Sequence, residues 1–127
     1  MKLLAAQDHQ PPAQGDARTV ALPNDADALA LPLDGVERVD LHFPSFTDGR
    51  AFSQAFLLRR RRGFAGDIRA TGDVLIDQLV QMQRTGFSSA VLREGVDVAD
   101  AQRQFELFPG FYQGDAVQPQ PHFAKAA

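Results

Sequence analysis

Four times along the chain, a short run with the period of a strand is followed by a run with the period of a helix, and this alternation constrains the fold more than any other feature. Residues 36–43, VERVDLHF, alternate apolar Val39, Leu41 and Phe43 with Arg38, Asp40 and His42, the signature of a half-exposed strand near a sheet edge. RTVAL at 18–22, DIRAT at 67–71 and SSAVLRE at 88–94 are the other strands predicted. Asn24 or Asp25 caps a short helix after the first of them. The next helix carries Phe52, Ala55, Phe56 and Leu58 on one side and stops at Gly63, with Ser45 and Asp48 as a capping box or Asp48 as the cap itself. Leu75, Leu79 and Met82 form the face of a further helix, widened by Val74, Ile76 and Val80. Val98, Ala101, Phe105 and Phe108 form the stripe of the last, which Pro109 ends.

Strands alternating with helices imply an α/β domain with a parallel sheet and right-handed crossovers. An internal echo supports this: RGFAGDIR at 62–69 resembles TGFSSAVLR at 85–93, each a helix end, a Gly-Phe step and a strand leading to arginine. With 127 residues the chain is a single domain, too short for an eightfold barrel, so about four βα units form an open sheet or a half-barrel. The domain is predicted to span residues 18–108, after a disordered leader at 1–17 that is polar and holds a Pro pair. Residues 109–127 read as an extended tail. Its Phe111, Tyr112 and Phe123 predict that the first half docks on the body or on a second copy. Uncovered sheet edges also leave room for a homodimer.

Charge and composition exclude several function classes. A net charge of -3 argues against a nucleic-acid partner, which calls for a basic stripe. No cysteine means no disulfide, no thiol nucleophile and no thiolate-held cluster. His9, His42 and His122 are far apart in sequence, so no metal site is expected. No run of 18 apolar residues marks a membrane span, and no signal segment is recognisable, which predicts a cytoplasmic protein. No glycine-rich nucleotide fingerprint and no catalytic triad is present, and no cofactor is predicted.

What chemistry there is lies with arginine, which accounts for every basic residue except Lys2 and Lys125. In parallel α/β sheets, ligands sit beyond the carboxyl ends of the strands, where helix amides also point. FPSFTDGR, RATGD and REGVD fall there. Arg50, Arg69 and Arg93, with Thr71 and Gly72, are therefore the candidate oxyanion site. Asp48, Asp73 and Asp77 are either site acids or helix caps and first-turn dipole partners. The run Arg59 to Arg62 is read as a solvated helix end whose cations suit the dipole, with a docking patch as the second reading.

The blocks FPSFTDGRAFSQAFLLR, GDIRATGDVLIDQL and QRTGF resemble the hallmarks of a family of short bacterial proteins of unknown function encoded beside assimilatory sulfite reductase and described as oxidoreductases of sulfite reduction. The resemblance runs over residues 18–113. Phe43, Pro44, Phe46, Asp48, Gly49, Arg50, Ser53, Gln54, Arg69, Thr71, Gly72, Asp73, Asp77 and Gln78 fit the pattern, while Phe52 stands where Tyr is usual. It implies an accessory role in sulfur assimilation, either binding an oxyanion (sulfite, sulfate or phosphate) or docking on sulfite reductase. The alternative it implies is a small oxidoreductase with a borrowed cofactor, for which the residues themselves offer no thiol or fingerprint.

Overall fold

The computed structural model describes residues 1–13 and 15–107. Strands β1 (Lys2–Leu4), β2 (Thr19–Leu22), β3 (Arg38–Phe43), β4 (Asp67–Gly72) and β5 (Ser89–Val91) form one parallel sheet in the order β1-β5-β4-β3-β2. Helix α1 (Arg50–Phe56) runs on into a π-type turn at Leu57–Arg61, and α2 (Leu79–Thr85) and α3 (Val98–Glu106) follow β4 and β5. From β2 to β5 every crossover moves one strand in the same direction. Right-handed connections then place the helices on one face of the sheet.

Strand alternation decides what each face carries. Val39, Leu41, Phe43, Ile68, Ala70 and Ala90 turn toward the helices and join Ala51, Ala55, Leu58, Leu79 and Met82 in one buried cluster. Each large member contributes roughly 1.5–3 kcal/mol by leaving water. The β3–β4 register sets Arg38 beside Asp67, Asp40 beside Arg69 and His42 beside Thr71 on the opposite face. That face is polar.

The expected α/β domain and parallel sheet are present, but several local expectations need correction. The leader is not loose: Lys2–Leu4 pairs with Ser89–Val91 as an edge strand, burying Leu3 and Leu4. Three residues are too few to show a period, and their pairing partner lies far along the chain. In the first crossover Asp27, not Asn24 or Asp25, caps the 3-10 turn Ala28–Ala30 by accepting from the Leu29 amide. The helix after β4 begins later than its apolar pattern implies, because Gly72 takes a left-handed φ of 91° and Leu75 stays extended before a 3-10 turn at Ile76–Gln78. Gly72 has to be glycine there, since a Cβ would run into the Phe43 carbonyl and the His42 ring. The last helix is capped as a helix of this type should be, with Asp97 accepting from the Ala99 and Asp100 amides. Phe108, Pro109 and the tail at 109–127, with its docking expectation, lie outside the described residues.

The arginine run is also more than a solvated end. Arg59 folds back to donate to the carbonyls of Gly86, Phe64 and Gly66, at 2.8, 2.8 and 2.6 Å, and lies 5.9 Å from the Phe64 ring centre. Arg62 donates to the carbonyls of Ala28 and Leu31. These two are three apart and reach opposite neighbours of the helix. Arg60 and Arg61 are exposed, and the solvated reading applies to Arg61.

Candidate functional site

The loop between β3 and α1, residues 44–49, and the loop after β4 meet at the carboxyl rim of the sheet. Asp73 does not cap its own helix. Its Oδ2 accepts from the Phe46 amide at 2.8 Å, while Gln78 Nε2 donates to the Phe46 carbonyl at 3.0 Å. A single peptide segment is thus held on both its donor and its acceptor by the neighbouring loop. The Phe46 ring, gripped at its backbone, remains 47% exposed. Pro44, Thr47 and Arg50 are exposed beside it in sequence.

Asp48 forms a clasp with the start of α1. Gly49 occupies the cap position without a side chain, so Asp48 Oδ1 accepts from the Arg50 amide at 3.0 Å, and Oδ2 takes the Arg50 guanidinium at 2.7 Å. Neither Ser45 nor a capping box contributes, since Ser45 Oγ instead meets Thr47 Oγ1 and the Thr47 amide. The hydrogen bonds from the Arg50 guanidinium, and then from its amide, hold the Asp48 carboxyl well down, at about 2. With a lowered pKa, the clasp is complete above the ordinary 3.8 and is lost as pH falls toward 2. An NMR titration of the Asp48 carboxyl is expected to show its midpoint near pH 2, and a midpoint at the ordinary value of 3.8 would mean that the clasp does not form in solution.

Arg93, on the loop after β5, places Nε 3.6 Å from Asp73 Oδ1 and lines an open cleft of about 610 Å³ with Asp77, Glu94, Leu75 and Val96. Asp73 therefore links the FPSFTDGR, RATGD and REGVD segments, and Asp77 shares a wall with Arg93. Arg69 goes elsewhere. It lies on the polar face, 8% exposed, with Nη2 on Asp67 Oδ2 at 3.3 Å, Nε on Ser89 Oγ at 3.0 Å and Nη1 against His9 Nδ1 at 3.2 Å. Thr71 donates to the Leu41 carbonyl, and Gly72 serves the turn.

The expectation that Arg50, Arg69 and Arg93 line one pocket thus needs correction in its geometry: each arginine pairs with a different acid, Asp48, Asp67 or Asp73. The reason is strand parity. Ile68 and Ala70 face the helices, so Arg69 is turned to the far side and cannot lean over the rim. Sequence reasoning did not give Arg69 its acid, which is Asp67, two residues earlier on the same strand. It missed the roles of Gln78, Ser89, Arg38 and His9. For Gln78 the signal was its position one turn into an apolar helix; for His9 there was none.

Other chemistry on the described residues is limited. No group of three His, Asp or Glu is placed to hold a metal ion among them, and none of their helices is long and apolar enough to cross a membrane. A cleft of about 750 Å³ at the amino ends of the strands is lined by Lys2, Arg59, Phe64, Asp67, Gly86 and Ser88. Its polar groups are largely used within the fold: Ser88 Oγ donates to Asp67 Oδ1, and Arg59 holds three carbonyls.

Comparison with known proteins gives one result. A family model described as a bacterial protein of unknown function, DUF934, matches residues 19–123, most of the chain. No curated protein and no solved structure matches.

Proposed function

The chain belongs to that bacterial family of unknown function, and we propose that it is an accessory protein of sulfur assimilation that docks on sulfite reductase through the rim around Phe46. The observation that carries this reading is the two-sided grip on the Phe46 peptide by Asp73 and Gln78. An exposed aromatic ring on a mobile loop would lose rotational freedom on binding, but one fixed in advance loses little. Aromatic and arginine side chains dominate the energy of protein interfaces, and Phe46 and Arg50 belong to the same loop–helix junction. The choice of sulfite reductase as partner rests on the sequence resemblance described above.

The oxyanion version of this reading is less favoured. Arg50 and Arg93 each face a carboxylate, so a small anion would have to displace an acid rather than fill a waiting site. The docking version needs no such exchange.

Growth of a deletion strain tests the pathway. Failure on sulfate and on sulfite, with rescue by cysteine, is expected; normal growth on all three removes the sulfur reading. Co-purification of sulfite reductase with the tagged protein tests the surface. Phe46→Ala is expected to weaken capture by about tenfold or more, the loss of roughly 1.4 kcal/mol or more that a central aromatic contributes, while the protein stays folded with at most a small drop in melting temperature. Equal capture by the variant would remove the Phe46 rim from the interface. A growth defect accompanied by a visible chromophore in the natively purified protein would instead favour the oxidoreductase reading.

A further inference from the structure

The sheet order sets a problem for the chain. Strand β1 lies at one edge and β2 at the other, so the segment between them has to travel the full width of the sheet. It crosses the polar face. Arg38 Nη2 on β3 donates to the Gln10 carbonyl at 2.8 Å, and the His9 ring sits between Arg69 of β4 and Asp40 of β3. Beneath it Arg38 holds Asp40 through Nε and Nη2, at 2.8 and 3.1 Å, leaving Asp40 only 3% exposed.

We propose that residues 5–13 are a strap over the polar face that opens on acidification, with His9 as its latch. The family match begins at residue 19, so the strap comes from chain outside it, and the inference is independent of the docking partner. A guanidinium has only donors. At 3.2 Å from Arg69 Nη1, His9 Nδ1 must therefore be the acceptor, which requires the neutral ring with its proton on Nε2, directed at Asp40 Oδ2, 3.7 Å away. Protonation would put an N–H on Nδ1 against the arginine. One hydrogen bond would become a repulsion between two cations.

The groups facing the ring from each packed strand weigh on both sides. Arg38 and Asp40 come from β3, Arg69 and its partner Asp67 from β4, and Ser89 of β5 is neutral. Burial lowers the His9 pKa below 6.5 first; Asp40 opposes this, and Arg69 and Arg38 add to it. Protons therefore bind the open strap better than the closed one. The latch is complete above about pH 7 and weakens as pH falls through about 6.5.

Hydrogen exchange on the full chain, expressed as protection relative to free-peptide rates at each pH, reads the strap directly. Protection of the Asp8 and His9 amides, both bonded within the strap, is expected to fall between pH 8 and pH 5.5. The fall approaches about tenfold, the ratio set by a free imidazole titrating near 6.5. His9→Gln, which keeps an acceptor for Arg69 and does not titrate, is expected to abolish the fall. His9→Arg, a permanent cation, is expected to be as open at pH 8 as the unmodified chain is at pH 5.5. Equal protection at both pH values in the unmodified chain, the same fall in His9→Gln, or a closed strap in His9→Arg would each overturn the latch.

Discussion

Phe43→Ala is expected to lower folding stability by about 3–5 kcal/mol, a large share of the roughly 5–15 kcal/mol that a domain of this size commands. Phe43 ends β3 on the helix face and is fully buried. Its ring stands edge-on to Phe52 of α1 at 5.0 Å between centres and 5.7 Å from Phe87, which precedes β5. Phe52 and Phe87 are themselves in edge contact at 6.2 Å, so the three rings join β3, α1 and the turn into β5. Truncation therefore removes two aromatic contacts, each worth about 0.5–1.5 kcal/mol beyond the buried area, and leaves a cavity between elements distant in sequence. Urea unfolding checks the size of the effect through the midpoint at constant slope. Phe46→Ala, three residues on and half-exposed, is the internal comparison and is expected to cost less than about 1 kcal/mol. Equal losses for the two variants would mean that the division of this motif into a core ring and a rim ring is wrong.

That division illustrates how far the sequence can be read. Phe43 was legible as core because it continues the alternation of Val39 and Leu41, and two-residue periodicity reports directly which face a side chain takes. The parallel sheet was legible for the same reason, four times over. Periodicity fails where an element is shorter than its own period or where a side chain answers to a distant partner. β1 is three residues long, and its pairing with β5 spans most of the domain. Asp73 looks like a helix cap in sequence, yet the Phe46 amide, 27 residues away, takes its carboxylate and the helix starts later. Two-residue parity turns Arg69 away from the layer that buries Ile68 and Ala70, but parity alone cannot say that a strap from the leader covers it. His9 belongs to a polar, proline-containing stretch with no pattern, and only the edge-to-edge order of β1 and β2 forces that stretch over the sheet.

The arginine run shows the same limit and yields the second large effect. Four consecutive residues wrap a helix end, and nothing local distinguishes them, yet Arg59→Ala is expected to cost about 2–3 kcal/mol and Arg61→Ala less than about 0.5 kcal/mol. Arg59 is half-buried at the junction of α1, the turn into β4 and the turn into β5, where its Nε and Nη1 bind the carbonyls of Gly86, Phe64 and Gly66. Burial lowers its pKa, with Asp67 opposing. A charged donor to a carbonyl is worth about 1.5–3 kcal/mol, and the open cleft alongside lets water recover part of that when the side chain is removed. Gly86 makes room for the arginine stem: it sits at φ 128°, and a Cβ there would approach Arg59 Cγ to 2.6 Å. Arg59→Lys is expected to recover little, because one ammonium cannot span three carbonyls that a planar fork reaches together. Midpoints of urea unfolding for the three variants, read at constant slope, separate the cases. Equal stabilities of Arg59→Ala and Arg61→Ala would return the whole run to solvent, and full recovery by Arg59→Lys would show that charge, rather than the fork, ties the three turns together.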